Sequence, residues 1–488
     1  MRTFTKFLAS SLIFTLLACS GSDEILDAND VFSRTLSSLG GEESILAFSS
    51  LRIEGSGREA LLGQMRNPDE ESDSWTVTDA VYSYDLNNAR MQTSYTRTAE
   101  FQWPLPRVNQ QLTGIDGNVG YVQAPNGQRN RLSARDSAQT RQLLRHHPLV
   151  LMRLGLEASS LINNLREQPG TYLIDLHTSE NDVFTLTVDA ESFLPVSVSS
   201  MSYQANLGDV VILTRFSSYE EQDGIQLPTQ IDSTIDRFQR SSFSISSQSL
   251  DADVSGLTVS QELRTAPVPP DSPPAYVISE TLGEGLWRLS GAGHHSILVE
   301  FSDHLSLIEA PASEQRTLAV IAEARTLVPG KPLTQVVVTH HHFDHSAGLR
   351  AAVSEGLTII THRDNADLFR ELVGREHTLY PDALALNPMP LRLMLVSDEL
   401  ILSDTDNEMQ LYHIAGNEHA TTLLMAYFPA ERLLVQADVF GSGYVSFPYT
   451  PNLADNIRVR QLDVERHVPI HGNPLSQEDF ERVLTQNP

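Results

Sequence analysis

Val336-Val337-Val338-Thr339-His340-His341-His342-Phe343-Asp344-His345-Ser346-Ala347-Gly348 is the stretch on which the reading of this chain turns. A β-branched run ends in a cluster of imidazoles and one carboxylate, and a helical pattern begins beyond it. His340 and His342 are two residues apart, so on extended backbone their side chains point to one side. Asp344 and His345 lie past the strand end, where the turn aims them at a second point nearby. Neutral imidazole and carboxylate suit zinc and similar divalent ions. The geometric reading is one ion at the first pair and another at the second. A solvated, histidine-rich loop is the plainer alternative. Four ligand-type residues within six positions, directly after a buried-strand pattern, disfavour it.

A chain of 488 residues is long for one domain, and two are expected. The net charge of −28 makes nucleic acid an unlikely partner, because phosphate backbones need a cationic surface. The single cysteine rules out an internal disulfide framework and leaves no thiolate for a metal site elsewhere. That residue, Cys19, closes the run Leu16-Leu17-Ala18-Cys19 behind Arg2, Lys6 and an apolar stretch too short to span a bilayer comfortably. The pattern is similar to a bacterial lipoprotein signal over residues 1–19. The resemblance implies export, lipid on Cys19, and anchoring in the cell envelope, in the periplasm on the outer membrane.

Residues 20–264 read as a β-rich N-terminal domain. Ala28 to Phe48 has loose helical spacing, and from Leu51 onward short segments alternate with period two, as at Phe184, Leu186 and Val188. Asp223-Gly224 marks a turn between two strand candidates. One helical block, Asp136 to Leu165, is broken by Pro148. The pattern resembles, weakly, the half-barrel of bacterial lipoprotein carrier proteins, and His146, His147 and His177 read as ordinary residues of it. Five prolines between Pro267 and Pro274 mark residues 265–275 as a linker that cannot join a sheet.

Residues 276–488 read as a second domain of paired strands with interleaved helices. Ser313 is placed to cap a helix to Leu327 that Pro329-Gly330 stops. Three further ligand types stand beside predicted strands: His419 on a loop, Asp438 after Leu433 to Ala437, and His471 after Val468 to Ile470. His467, near a strand start, is the rival to His471.

His340-x-His342-x-Asp344-His345 resembles the signature of the metallo-β-lactamase-fold superfamily. The resemblance implies an α/β fold, a C-terminal four-layer αβ/βα sandwich, behind the β-rich domain. It implies that His340, His342 and His419 hold one divalent ion and that Asp344, His345 and His471 hold a second, with Asp438 shared. Zinc follows from ligand type, with iron or manganese compatible with the same set. The implied chemistry is hydrolysis of a small-molecule ester, lactone or thioester by a hydroxide bridging the two ions, with Asp344 as the catalytic carboxylate. A periplasmic β-lactamase is the alternative, and a lipid- or protein-binding envelope lipoprotein is the non-enzymatic one. True metallo-β-lactamases generally lack the bridging aspartate. Tyr444, Phe447 and Tyr449 are expected to wall the substrate pocket. Two departures bear on the surroundings of the metals: Glu309 stands where an aspartate is usual, and the glycine that usually directly precedes the third histidine is displaced to Gly416, while Ala420 follows it in place of a threonine.

Overall fold

The structure is a computed structural model and describes residues 26–101, 108–157, 160–291, 293–441 and 445–485. The signal-like residues 1–19 with Cys19, and Tyr444, lie outside the described residues.

Thirteen strands between Ser50 and Leu250 form one antiparallel sheet. Neighbours in sequence are neighbours in the sheet, except that Arg129–Arg131 and Leu161–Gln168 lie at its opposite edges, and the first strand, Ser50–Ala60, pairs with the last, Phe238–Leu250. Two meanders thus join at the middle, and the connection from Arg131 to Leu161 carries the helices Ala134–Leu144 and Pro148–Gly155 from one edge of the sheet to the other. One face packs on the helices Ala28–Leu39 and Pro148–Gly155 through Val31, Phe32, Leu36, Ile53, Leu151, Ile174 and Phe184.

Two expected helices are corrected here. The Ala28 to Phe48 helix is two helices, Ala28–Leu39 and Glu42–Ala47, because Gly40 adopts φ 127° and ends the first. The block from Asp136 to Leu165 ends its helix at Gly155, and Leu161–Gln168 is a strand paired with Thr171–His177. A sheet neighbour decides that stretch over its local preference.

The C-terminal region has two facing sheets. The first runs in sequence order from Ile278–Gly283 to Arg392–Val396; its early pairings are antiparallel and its last three parallel. The second holds Glu399–Ser403 through Leu475–Ser476. Alternation along the strands assigns the layers. Ile297, Val299, Val337 and Ile360 face Leu411, Ala426 and Val435 of the other sheet. Leu298, Val336 and Ile359 face the opposite way onto Val320, Ile321 and Phe369 of the helices Glu314–Leu327 and Ala366–Gly374. Thr450–Val459 and Gln477–Thr485 add Leu453 and Phe480 to the core of the second sheet. This is the α/β sandwich expected, with Ser313 capping its helix as read. The strands Arg392–Val396 and Glu399–Ser403 and the last two helices were not foreseen.

The two regions share a core. Met65, Leu207, Val210, Ile212 and Phe238 of the large sheet join the helical side of the first C-terminal sheet. Polar contacts flank this seam: Asp209 accepts from the backbone N–H of Thr378 and Leu379, and Asn206 donates to the Phe343 carbonyl at 3.0 Å.

Candidate metal centre

The strand Leu333–Val337 delivers His340, His341 and His342 to its C-terminal end, and a single helical turn, Phe343–Ser346, carries Asp344 and His345 around the corner. Asp438 follows the strand Leu433–Gln436 at φ 59°, a conformation that few side chains adopt without a surrounding that fixes it. The fixing group is the fully buried Gln436. Its Oε1 accepts from the Val439 N–H at 2.9 Å, and its amide donates to the Phe440 carbonyl at 3.1 Å. His471 follows the strand Arg466–Pro469, and the buried Arg288 holds its loop by donating to the Gly472 carbonyl at 2.6 Å.

Two sets of donor atoms converge. His340, His342, His419 and Asp438 each place one ligand-type atom within 4.8 Å of the others, and so do His294, Asp344, His345 and His471. Asp438 links the sets: its Oδ2 lies 3.0 Å from Nε2 of His345 and 3.1 Å from Nε2 of His419, and its Oδ1 3.3 Å from Nε2 of His471. Oδ2 of Asp344 lies 3.4 Å from Nε2 of His345 and 3.6 Å from Nε2 of His471.

The outer ring of hydrogen bonds fixes which nitrogen of each imidazole faces inward. The Met65 carbonyl accepts from Nε2 of His342 at 2.8 Å. A carbonyl only accepts, so the proton sits on Nε2 and the Nδ1 lone pair is free. His471 likewise donates Nδ1–H to the Gly293 carbonyl at 2.9 Å, and His345 donates Nδ1–H to Oε2 of Glu309 at 2.9 Å. Both thereby direct Nε2 at the carboxylates. Oriented outer partners of this kind set the tautomer and basicity of metal-binding imidazoles.

Nε2 of His340, Nδ1 of His342 and Oδ1 of Asp438 are buried without a hydrogen-bond partner. Buried polar atoms are almost always satisfied, and unpartnered ligand-type atoms of this kind within the two donor sets fit divalent cations. The electrostatics agree. Burial, reinforced by neighbouring imidazoles, holds His340 and His342 well below the usual histidine range, so both are neutral donors. Burial would raise Asp438 and Asp344, but the facing His345 holds both carboxyls well below their ordinary value. Burial would lower His345, yet Asp438, Asp344 and Glu309 hold it well above. Excess negative charge therefore surrounds the second donor set. That set opens outward: the Asp344 side chain is 41% exposed and His471 31%, whereas His340 and His345 are fully buried.

Of the residues singled out from sequence, His340, His342, Asp344, His345, His419, Asp438 and His471 meet in these two sets. His467 is turned away, 2.7 Å from the Gln477 side chain. Phe447 is buried in the core, and Tyr449, also buried, brings its hydroxyl 3.3 Å from Nδ1 of His419. Three participants were not foreseen. The ring of His294 lies tilted, 4.4 Å from the ring of His345, and edge-on, 4.3 Å from that of His471. Its signal was a Gly-Ala-Gly turn followed by two histidines directly before a buried strand. Gln64 and Met65, from the N-terminal sheet, had no such signal.

Residues 290–468 match the metallo-beta-lactamase superfamily. The chain is similar to the linear primary-alkylsulfatase of Pseudomonas sp. (strain ATCC 19151), 27% identical over 237 residues, covering 38% of this chain and 43% of that protein. It is also similar to the 2,4-dinitroanisole O-demethylase subunit alpha of Nocardioides sp. (strain JS1661), 27% identical over 158 residues, covering 31% of this chain and 44% of that one. The chain spans less than half the length of these curated relatives. Among solved structures it is similar to a metallo-beta-lactamase from Pontibacter korlensis, with 17% identity, 44% of this chain and 100% of that chain covered, and a TM-score of 0.34. The C-terminal region of this chain is a metallo-β-lactamase superfamily domain.

Proposed function

We propose that this chain is a metal-dependent hydrolase that works with two divalent ions, zinc by donor type, on an ester-type bond of a small molecule. The observation that carries this reading is the pair of donor sets joined by Asp438. Nε2 of His340, Nδ1 of His342 and Nε2 of His419 would hold one ion. Oδ2 of Asp344 with Nε2 of His345 and of His471 would hold the other, and the two oxygens of Asp438 face both sets. The chemistry such ions supply when bound is acidification of water and polarisation of the bond to be cleaved.

The protein's own groups set direction and proton traffic. The exposed side of Asp344 and His471 is where a substrate enters, since the rest of the donor set is sealed. Asp344, a carboxylate at the mouth, is placed to accept a proton at Oδ2 and pass it toward the leaving group. Glu309 and the Met65 carbonyl keep His345 and His342 from turning during that transfer.

An ester-type substrate is supported over a β-lactam by the carboxylate at position 438 and by the likeness to an alkylsulfatase. The test is a full chain loaded with zinc and offered a chromogenic cephalosporin, a lactone, a thioester, a phosphodiester and a primary alkyl sulfate. Turnover of an oxygen- or sulfur-ester probe above the cephalosporin is expected. Cephalosporin turnover above the rest would replace this reading with a β-lactamase. No turnover of any probe by a fully metallated protein would favour a binding role.

A further inference from the structure

Residues 61–73, which join the strands Ser50–Ala60 and Ser74–Asp85 of the N-terminal sheet, reach across the seam to the metal centre. The loop is a closed unit. The Leu61 N–H donates to the Asp73 carbonyl at 2.6 Å, the Asp73 N–H donates to the Gln64 carbonyl at 2.7 Å, and the Gly63 N–H donates to the Ser72 hydroxyl at 3.2 Å. Gly63, at φ 83°, lies directly on the ring of Phe343, the residue between His342 and Asp344. A Cβ there would come within 2.1 Å of the ring. The Gly63 carbonyl accepts from the Phe343 N–H at 3.3 Å, and the Thr421 N–H donates to the Arg66 carbonyl at 2.9 Å. The tip is therefore pinned on both sides of the donor sets.

From this tip the Met65 carbonyl accepts from both His341 and His342, and Nε2 of Gln64 donates to Oδ1 of Asp344 at 2.8 Å. The two contacts go to different sets: His342 belongs to the first and Asp344 to the second. We propose that Gln64 is a positioning residue of the metal centre, supplied by the N-terminal sheet, which by holding Oδ1 of Asp344 presents Oδ2 to the second ion alone. The inference rests on the two-ion reading above. An exposed carboxylate at the mouth of a site has freedom to rotate about its last torsion. Without the amide donor, Asp344 would share its two oxygens between the ion and water, and the second ion would be held less tightly. The first set contains no group that Gln64 touches, so its affinity is not expected to change.

The test uses the full chain, freed of metal and titrated with cobalt(II) and, separately, with zinc against a competing chelator. Wild type is expected to take up two equivalents. Gln64→Leu, which keeps the side chain's bulk and removes the donor, is expected to bind the first equivalent normally and the second at least about tenfold more weakly. The cobalt absorption that grows in with the second equivalent should change in shape. Asn67→Ala is the control on the same loop, since the Asn67 side chain reaches Thr421 and not Asp344. It should leave both equivalents and the cobalt spectrum as in wild type. Should Gln64→Leu not fold, Gln64→Met makes the same deletion with an unbranched chain. The inference is overturned if the Gln64 variant binds both equivalents with wild-type affinity and spectrum. It is equally overturned if Gln64→Leu and Asn67→Ala weaken both equivalents alike, which would mean the loop only supports the fold. A wild-type protein that binds fewer than two equivalents would instead overturn the two-ion reading.

Discussion

Oε2 of Glu309 lies 2.9 Å from Nδ1 of His345, and both side chains are fully buried. The other oxygen of Glu309 accepts from the Thr339 N–H at 3.1 Å, which ties the carboxylate to the strand that delivers the histidines. The glutamate holds both groups from a backbone at φ 78°. Burial would raise this carboxyl, but His345 and His294 hold it at about 2, so it is an anion at any working pH.

Glu309→Ala leaves a buried imidazole N–H and a buried backbone N–H without acceptors. Loss of an outer partner of this kind costs metal affinity about 10- to 100-fold. Competition with a chromophoric chelator measures it, and an affinity equal to wild type would show that His345 does not need the carboxylate.

Asp438→Asn removes the charge that faces both donor sets while keeping the shape. Metal content should fall from two equivalents toward one. A drop in kcat/KM of at least about a hundredfold is expected, which is about 2.7 kcal/mol of transition-state stabilisation. Elemental analysis of the purified variant and its rate on the best ester probe would settle both parts. Unchanged hydrolysis would sink the two-ion reading.

Arg350, on the helix Leu349–Ser354, forms a buried pair with Asp382, with Nη2 to Oδ1 at 3.0 Å, and also donates to the carbonyls of Leu372, Val373 and Arg375. Asp382→Ala would strand a buried guanidinium, a change that costs about 3–5 kcal/mol. The urea midpoint of the variant should fall accordingly. A shift of a few tenths of a kcal/mol would show that the three backbone carbonyls near Arg350 suffice to hold it.

Asp175 in the N-terminal sheet accepts from Arg166 at 2.7 and 2.8 Å and from Thr185 at 2.7 Å. The Arg166 hydrogen bond, together with Thr185 and Asn164, lowers its pKa from the ordinary 3.8 to about 2 against the opposing effect of burial. A carboxyl lowered on folding stabilises the protein above its unfolded pKa, and that contribution disappears as pH falls through the folded one. The stability gap between wild type and Asp175→Asn should therefore be full above pH 4 and shrink between pH 4 and pH 2. Urea melts across that range test it, and a gap independent of pH would contradict it.

Much of the C-terminal fold was legible because its signals are local. The β-branched run before His340, the Ser313 cap and the Pro329-Gly330 stop each act within a few residues. What was not legible depends on partners distant in sequence. Met65 acts through its carbonyl, a group every residue carries, and Gln64 meets Asp344 across a separation of 280 residues. Arg392–Val396 gains its strand character from parallel pairing with Thr358–His362, behind prolines that read as a loop. Leu161–Gln168, polar and short of β-branched residues, is a strand because Thr171–His177 offers it a ladder. His294 was within reach of the sequence, because a histidine pair after a glycine turn ahead of a buried strand is the same kind of signal as the one at His340.

The hold of the Met65 carbonyl on His342 also ties the two halves of the chain together at the metal centre. The loop that carries it belongs to the half of the chain that is synthesised first, while the imidazoles it orients come nearly three hundred residues later. The tautomer of His342 is fixed by a group that only the docked large sheet supplies. A chain whose large sheet failed to dock would lack that acceptor, so the orientation of His342 reports whether the two halves of the molecule have come together.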